Sequence, residues 1–130
     1  MLIGNNPLNE KPEWFKKNIE IIPQSKHVEV ENKKIKYFIW GDESLPKLIF
    51  LHGFNAHSYW WSHIAPFFNT KYCVVALDFS GMGESEHREE YSQAMYSKEV
   101  KAVVDEMECT KPICLAHSMG GAIAMFSTSM

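Results

Sequence analysis

The sequence predicts an α/β fold with a partly parallel sheet, and three observations carry that expectation. Three short runs are continuously apolar: Lys47-Leu48-Ile49-Phe50-Leu51, Cys73-Val74-Val75-Ala76-Leu77 and Ile113-Cys114-Leu115-Ala116. Continuous apolar runs, unlike alternating ones, mark strands buried on both faces, as in parallel sheets. Segments with helical patterning separate and follow them, and strand–helix alternation is the grammar of right-handed α/β units. Each run also ends in a loop rich in Gly, Ser or His, where such sheets place their chemistry.

The elements follow in order. Residues 1–11 are polar, with Gly4, Asn5, Asn6 and Pro7, and read as a loose lead-in. Pro12 suits the first turn of a short helix over Pro12–Glu20, with Trp14, Phe15 and Ile19 as its apolar side and Pro23 beyond its end. His27 to Val30 alternates apolar and polar residues, Glu31-Asn32-Lys33-Lys34 turns the chain, and Ile35 to Trp40 is rich in β-formers. Together they read as an antiparallel hairpin. Helices are expected over 59–68, 92–107 and 119–128. In the second, Met95, Val100, Val103, Val104 and Met107 share a face. The expected division is a lead-in with a short helix over 1–25 and one partial α/β domain over 26–130.

Composition limits the function classes. The chain has 130 residues, 45% hydrophobic and 13% aromatic, enough to build one core. Its net charge is −3, and Arg88 is its one arginine, which argues against nucleic-acid binding. Cys73, Cys109 and Cys114 form no CxxC pair; Cys73 and Cys114 sit in apolar runs and read as small core residues in a reducing compartment. No apolar stretch is long enough to span a membrane, and the first ten residues do not read as a signal peptide. The expected location is the cytoplasm.

The loops carry the candidate chemistry. The third run ends Ala116-His117-Ser118-Met119-Gly120-Gly121. A serine between strand and helix, with small residues two positions before and after, is the pattern of a nucleophile elbow. The turn holds the serine in a strained conformation that costs about 1–3 kcal/mol. It also brings strand and helix backbones close, so Ala116 and Gly120 must be small, with Gly121 giving further clearance. The Met119 N–H then sits at a helix N-terminus, suited to an oxyanion. A tight strand–helix turn with a solvent-facing serine would carry the same residues. The first run ends Leu51-His52-Gly53-Phe54. Gly53 opens loop conformations closed to other residues. The Phe54 N–H is a second candidate oxyanion donor, and His52 reads as a brace for this loop. An ordinary glycine turn is the alternative. Tyr59, Trp60 and Trp61 read as core packing beside the site.

The second run ends Asp78-Phe79-Ser80-Gly81-Met82-Gly83-Glu84-Ser85, a structured turn. It does not complete a dinucleotide fingerprint, because Glu86 stands at the third glycine position, and no phosphate-binding GxxxxGK[ST] occurs. No cofactor and no metal site is expected.

Taken in order and spacing, His-Gly-Phe, Asp-Phe-Ser-Gly-Met-Gly-Glu-Ser and Ala-His-Ser-Met-Gly-Gly resemble the α/β-hydrolase superfamily over about Val28 to Phe126. The resemblance implies the N-terminal half of an α/β-hydrolase sheet: a hairpin plus three parallel strands with flanking helices. It implies Ser118 as nucleophile, Phe54 and Met119 as oxyanion-hole N–H donors, and Asp78 to Ser85 as a structural loop. Branches of the family that open epoxides or displace halide use aspartate where this chain has Ser118. The implied chemistry is therefore that of a serine hydrolase on a small-molecule ester, thioester or related acyl or C–C bond.

The family orders its triad Ser, then Asp or Glu, then His, the last two from loops after later strands. No residue here matches that acid or that histidine. His117 adjoins Ser118 on a tight turn, where neighbouring side chains point apart. His27, His63 and His87 read as surface residues, and His52 and His57 as loop residues. Glu84, Glu86, Glu89 and Glu90 read as a solvated charged run. The expectation is a truncated, by itself inactive, piece of a serine hydrolase. The alternatives are one half of a split enzyme, completed by a second chain, and a non-catalytic binding module.

Overall fold

The computed structural model describes residues 10–129; most of the expected lead-in lies outside them. Helix α1 spans Glu13–Ile19, with Pro12 at its N-cap. Strands β1 (Gln24–Val30) and β2 (Lys33–Trp40) form the hairpin. The turn has two residues rather than four: Glu31 (φ 49°) and Asn32 (φ 64°) are both left-handed, and Val30 pairs with Lys33. Two positive φ values match the twist of the flanking strands. The Arg88 guanidinium holds this turn, donating to the Val30 carbonyl at 2.7 Å and the Glu31 carbonyl at 3.3 Å.

Strands β3 (Lys47–Leu51), β4 (Cys73–Leu77) and β5 (Ile113–Ala116) fall on the three apolar runs. The sheet order is β1-β2-β4-β3-β5. β4 runs antiparallel to β2 and parallel to β3, and β5 pairs parallel with β3. Alternating residues feed two cores, one on each face of the sheet. Ile35, Tyr37, Ile49, Leu51, Val75 and Leu77 point to the face covered by α2 (Gln93–Glu106) and α3 (Met119–Ser127). Phe38, Trp40, Phe50, Val74 and Ala76 point to the other, where Trp61 and Ala65 cover them. Ser92 caps α2, its Oγ accepting from the Met95 N–H at 3.0 Å.

Five expectations need correction. The helix over 59–68 is two short 3₁₀ turns, Ser58–Trp61 and Ala65–Phe67. Pro66 lacks the N–H that a continuous helix needs, and the aromatic run has weak helix propensity. Of the three aromatics at 59–61 only Trp61 is core; Tyr59 and Trp60 are exposed. β5 is not buried on both faces: among the described residues it pairs with β3 alone, and Ile113 is 53% and Leu115 40% exposed. Cys114 on that strand is exposed, whereas Cys73 in β4 is buried as expected. In α1, Ile19 and Trp14 stay exposed; the anchor is Asn18, whose Nδ2 donates to the His63 carbonyl at 2.9 Å.

Candidate active site

Three loops meet at the C-terminal ends of β3, β4 and β5. Ser118 joins β5 to α3 with φ 55° and ψ −119°, a left-handed-side conformation that a residue with a Cβ adopts only under constraint. The constraint is visible on both sides. Before Ser118, the His117 N–H donates to the Leu51 carbonyl at 3.0 Å, carrying the β3–β5 pairing up to the turn. After it, Gly120 N–H reaches His117 O (3.0 Å) and Gly121 N–H reaches Ser118 O (2.9 Å), starting the helix. A Cβ on Gly120 would stand 2.5 Å from the Leu51 oxygen and 2.7 Å from the His52 oxygen. The helix can therefore approach β3 only because residue 120 is glycine. Gly121 differs from expectation: a Cβ there would meet nothing within 4 Å, so its smallness gives no clearance among the described residues. Ala116 is half-buried at the end of β5.

The loop after β3 lies against this elbow. A Cβ on Gly53 would be 3.3 Å from Ser118 Cβ and 3.1 Å from His117 Nδ1. Phe54 follows Gly53 directly and Met119 follows Ser118 directly, so their N–H groups sit on neighbouring stretches of backbone. Among the described residues, neither N–H donates in a turn or cap hydrogen bond. Phe54, His117 and Ser118 are exposed, so the site is open to solvent.

His52 is buried and both its nitrogens are engaged. Nε2 accepts from the Phe79 N–H at 3.1 Å, which leaves the proton on Nδ1 to donate to the Gly53 carbonyl at 2.7 Å. Burial pushes its pKa below the ordinary histidine value, only partly offset by the Gly53 carbonyl and the Asp78 charge. A neutral imidazole thus ties the loop after β3 to the loop after β4. Asp78 makes a second tie. Its carboxylate accepts from the Ser58 N–H at 2.6 Å and the Glu84 N–H at 2.9 Å. Gly83 (φ 55°) presses its backbone against that carboxylate so closely that any side chain there would collide with it. Ser85 Oγ donates to the Asp78 carbonyl at 2.6 Å and accepts from the Lys36 N–H at 2.8 Å.

Two features were not anticipated from the sequence. Glu99 on α2 is fully buried, accepting from Ser80 N–H (2.8 Å), Ser80 Oγ (2.6 Å) and Arg88 Nε (3.0 Å). The signals available were a lone arginine and a glutamate within an apolar helix face. The second is Trp60, whose indole stacks on the His117 ring, centroids 6.2 Å apart and planes 26° apart. Nothing in the sequence pairs residues 60 and 117.

Among the described residues no histidine or carboxylate hydrogen-bonds the Ser118 hydroxyl. His27, His57 and His87 are exposed, and His63 packs on Phe15. Glu84, Glu86, Glu89 and Glu90 are exposed. No cluster of three or more His, Cys, Asp or Glu side chains among the described residues is placed to hold a metal. No described helix is long and apolar enough to cross a membrane.

This sheet, with a strained serine at a strand–helix turn beside a glycine loop, is the architecture of an α/β hydrolase. The sequence model of the alpha/beta hydrolase fold family matches residues 46–129, and the chain belongs to that family. Mouse "Epoxide hydrolase 4" is 34% identical over 94 residues, covering 70% of this chain and 26% of that protein. A "Serine hydrolase-like protein" of Danio rerio is 32% identical over 93 residues, covering 68% and 28%. Among solved structures, the thioesterase domain from the curacin biosynthetic pathway superposes with a TM-score of 0.79 at 26% identity, covering 84% of this chain and 40% of that one. The chain spans about a quarter of the length of the curated relatives it matches.

Proposed function

We propose that this chain supplies the nucleophile and oxyanion hole of a serine hydrolase acting on a small-molecule ester, thioester or related acyl bond. Ser118 is the nucleophile, and the Phe54 and Met119 N–H groups receive the oxyanion. The observation that carries this reading is the elbow itself: Ser118 at φ 55°, its Cβ 3.3 Å from where a side chain on Gly53 would begin. Positive φ alone also occurs in the hairpin turn at Glu31 and Asn32, but Ser118 joins it to ψ −119°, outside the left-handed helical region, and strain of that kind held by surrounding structure marks functional positions. The serine also favours acyl chemistry over epoxide opening, because the epoxide branch uses aspartate at this place. The three free thiols fit a reducing, cytoplasmic setting.

In this mechanism the Ser118 oxygen attacks the acyl carbon while a general base takes its proton. The carbonyl oxygen becomes an oxyanion between the two N–H donors. The C–O or C–S bond then breaks, the leaving group takes the proton, and water releases the acyl group from Ser118 by the reverse sequence. His52 is not the base, since both its nitrogens are bonded to backbone. The base and its orienting acid come from polypeptide outside the described residues, on the same or a second chain.

Hydrolysis of p-nitrophenyl acetate and fluorophosphonate labelling test this. The 130-residue chain should show no Ser118-dependent turnover or labelling. Joined to a family C-terminal segment carrying the acid and histidine, it should gain both, and Ser118→Ala should abolish them. Loss of the triad leaves at most about 10³–10⁴ over water. Turnover that survives Ser118→Ala in the joined form would refute the nucleophile. Ser118-dependent turnover by the chain alone would mean a base lies within it, with His57 the first residue to test.

A further inference from the structure

An aromatic path leads away from the elbow over the molecular surface. It begins at His117, beside Ser118, whose ring stacks on Trp60 at 6.2 Å. Trp60 packs on His63 at 6.5 Å, His63 on Phe15 at 5.4 Å, Phe15 on Trp14 at 5.8 Å, and Trp14 on Phe67 at 5.4 Å. Ring follows ring without a break from the site to α1 and the second 3₁₀ turn. Three of the rings are open to water, Trp60 being 53%, Trp14 47% and Phe67 59% exposed, and Phe15 and His63 between them are half-buried. Large aromatic side chains left in water in one connected strip, rather than scattered, mark a binding surface. Its continuity with the serine points to what binds.

We infer that this track is the acyl-chain subsite: it takes a long, straight, apolar acyl group whose carbonyl end lies at Ser118. This rests on the reading of Ser118 as nucleophile. The proposed Phe54 and Met119 donors would receive the carbonyl end, and Trp60, Trp14 and Phe67 give an alkyl chain uncharged faces, while the Lys11 ammonium stands 5.7 Å over the Phe15 ring between them. A chain on an open track buries one side of each methylene. Half of a full methylene burial is about twofold in affinity. Affinity should therefore climb about twofold per carbon while the chain still finds rings beneath it.

The probes are saturated straight-chain carboxylates of six to twelve carbons, used below their micelle concentration. Binding to the 130-residue chain is followed by calorimetry and tryptophan fluorescence. Trp60→Ala should weaken the twelve-carbon acid at least about fivefold and remove most of the chain-length dependence. Phe67→Ala should affect the longest acids only. Trp14→Leu tests the middle of the track while keeping α1 apolar, with circular dichroism checking each fold. Lys101→Ala, on the exposed side of α2 and away from the track, should bind as the wild type does. Chain-length-dependent binding without any Ser118-dependent hydrolysis in the joined form would sustain the track and sink the nucleophile. Ser118-dependent hydrolysis with no preference for long acyl groups would do the reverse. Affinity independent of chain length overturns the inference. So does a concentration-dependent dimer that Trp60→Ala dissolves while no carboxylate binds, or binding to phosphatidylcholine vesicles alone.

Discussion

Two adjacent glycines in the first turn of α3 should respond in opposite ways to the same methyl group. In Gly120→Ala the new carbon would stand 2.5 Å from the Leu51 oxygen, where ordinary contact begins at 3.4 Å, so about 0.9 Å must be made up. The obstacles are backbone carbonyls at the end of β3, which cannot swing aside as a side chain can. Overpacking of this kind costs about 3 kcal/mol at the upper end of its usual range. Alanine returns about 1 kcal/mol over glycine in a helix. The net expectation is a loss of about 2 kcal/mol. In Gly121→Ala nothing lies within 4 Å, so only the helix gain of about 0.5–1 kcal/mol remains. Ser118→Ala should be near neutral, since both residues carry a Cβ at the same strained φ. Urea unfolding of the three variants measures this, and thermal scans should separate the two glycine variants by about 10 °C. Gly120→Ala as stable as the wild type, or Gly121→Ala losing as much as Gly120→Ala, would refute the claim that residue 120 sets the helix-to-strand distance.

Two other perturbations test the scaffold beneath the site. Arg88→Ala leaves the Glu99 carboxylate buried beside Ser80 without its cation, and should cost about 3–5 kcal/mol in urea unfolding. Adding Glu99→Gln should recover part of that loss, because an amide keeps a partner for the Ser80 N–H without the charge. His52, held neutral in the fold by burial, takes up its proton more readily in the unfolded chain, where its pKa is about 6.5. Its contribution is therefore complete above pH 6.5 and is lost as pH falls toward its lower folded value, by up to about 1.4 kcal/mol per pH unit. Urea midpoints between pH 7.5 and 5 should fall more steeply in the wild type than in His52→Gln; parallel slopes would contradict the buried neutral imidazole.

Much of this architecture was legible in local patterns. The three apolar runs gave β3, β4 and β5, because a strand buried in a parallel sheet has no polar face to show. Ser118, Gly120 and Gly53 were legible because a tight strand–helix turn restricts side-chain size at fixed offsets. What could not be read depends on contacts distant in sequence. β5 has the same apolar character as β4, yet its faces are exposed among the described residues, since burial there is decided by which segments cover it. Arg88 and Glu99 look like surface charges until the β1–β2 turn and the loop after β4 fold around them. The 3₁₀ turns near Trp61 were missed because apolar periodicity outweighed the signal of Pro66. The Trp60–His117 stack is legible only in three dimensions.

The strand order has a consequence for how the chain comes together. β2 pairs not with β3, which follows it in sequence, but with β4, which is inserted between the two. Until residue 77 exists, β1 and β2 are an isolated hairpin, and such hairpins are marginal in water. The first stretch of chain holding more than two paired strands runs from Gln24 to Leu77. That stretch already contains His52, Gly53, Phe54 and Asp78's neighbours on β4. Ser118, Met119 and Gly120 arrive 41 or more residues later, just after β5, which is added beside β3. The two proposed oxyanion donors thus belong to different stages of growth: one loop is waiting on a formed sheet edge when the other is laid against it.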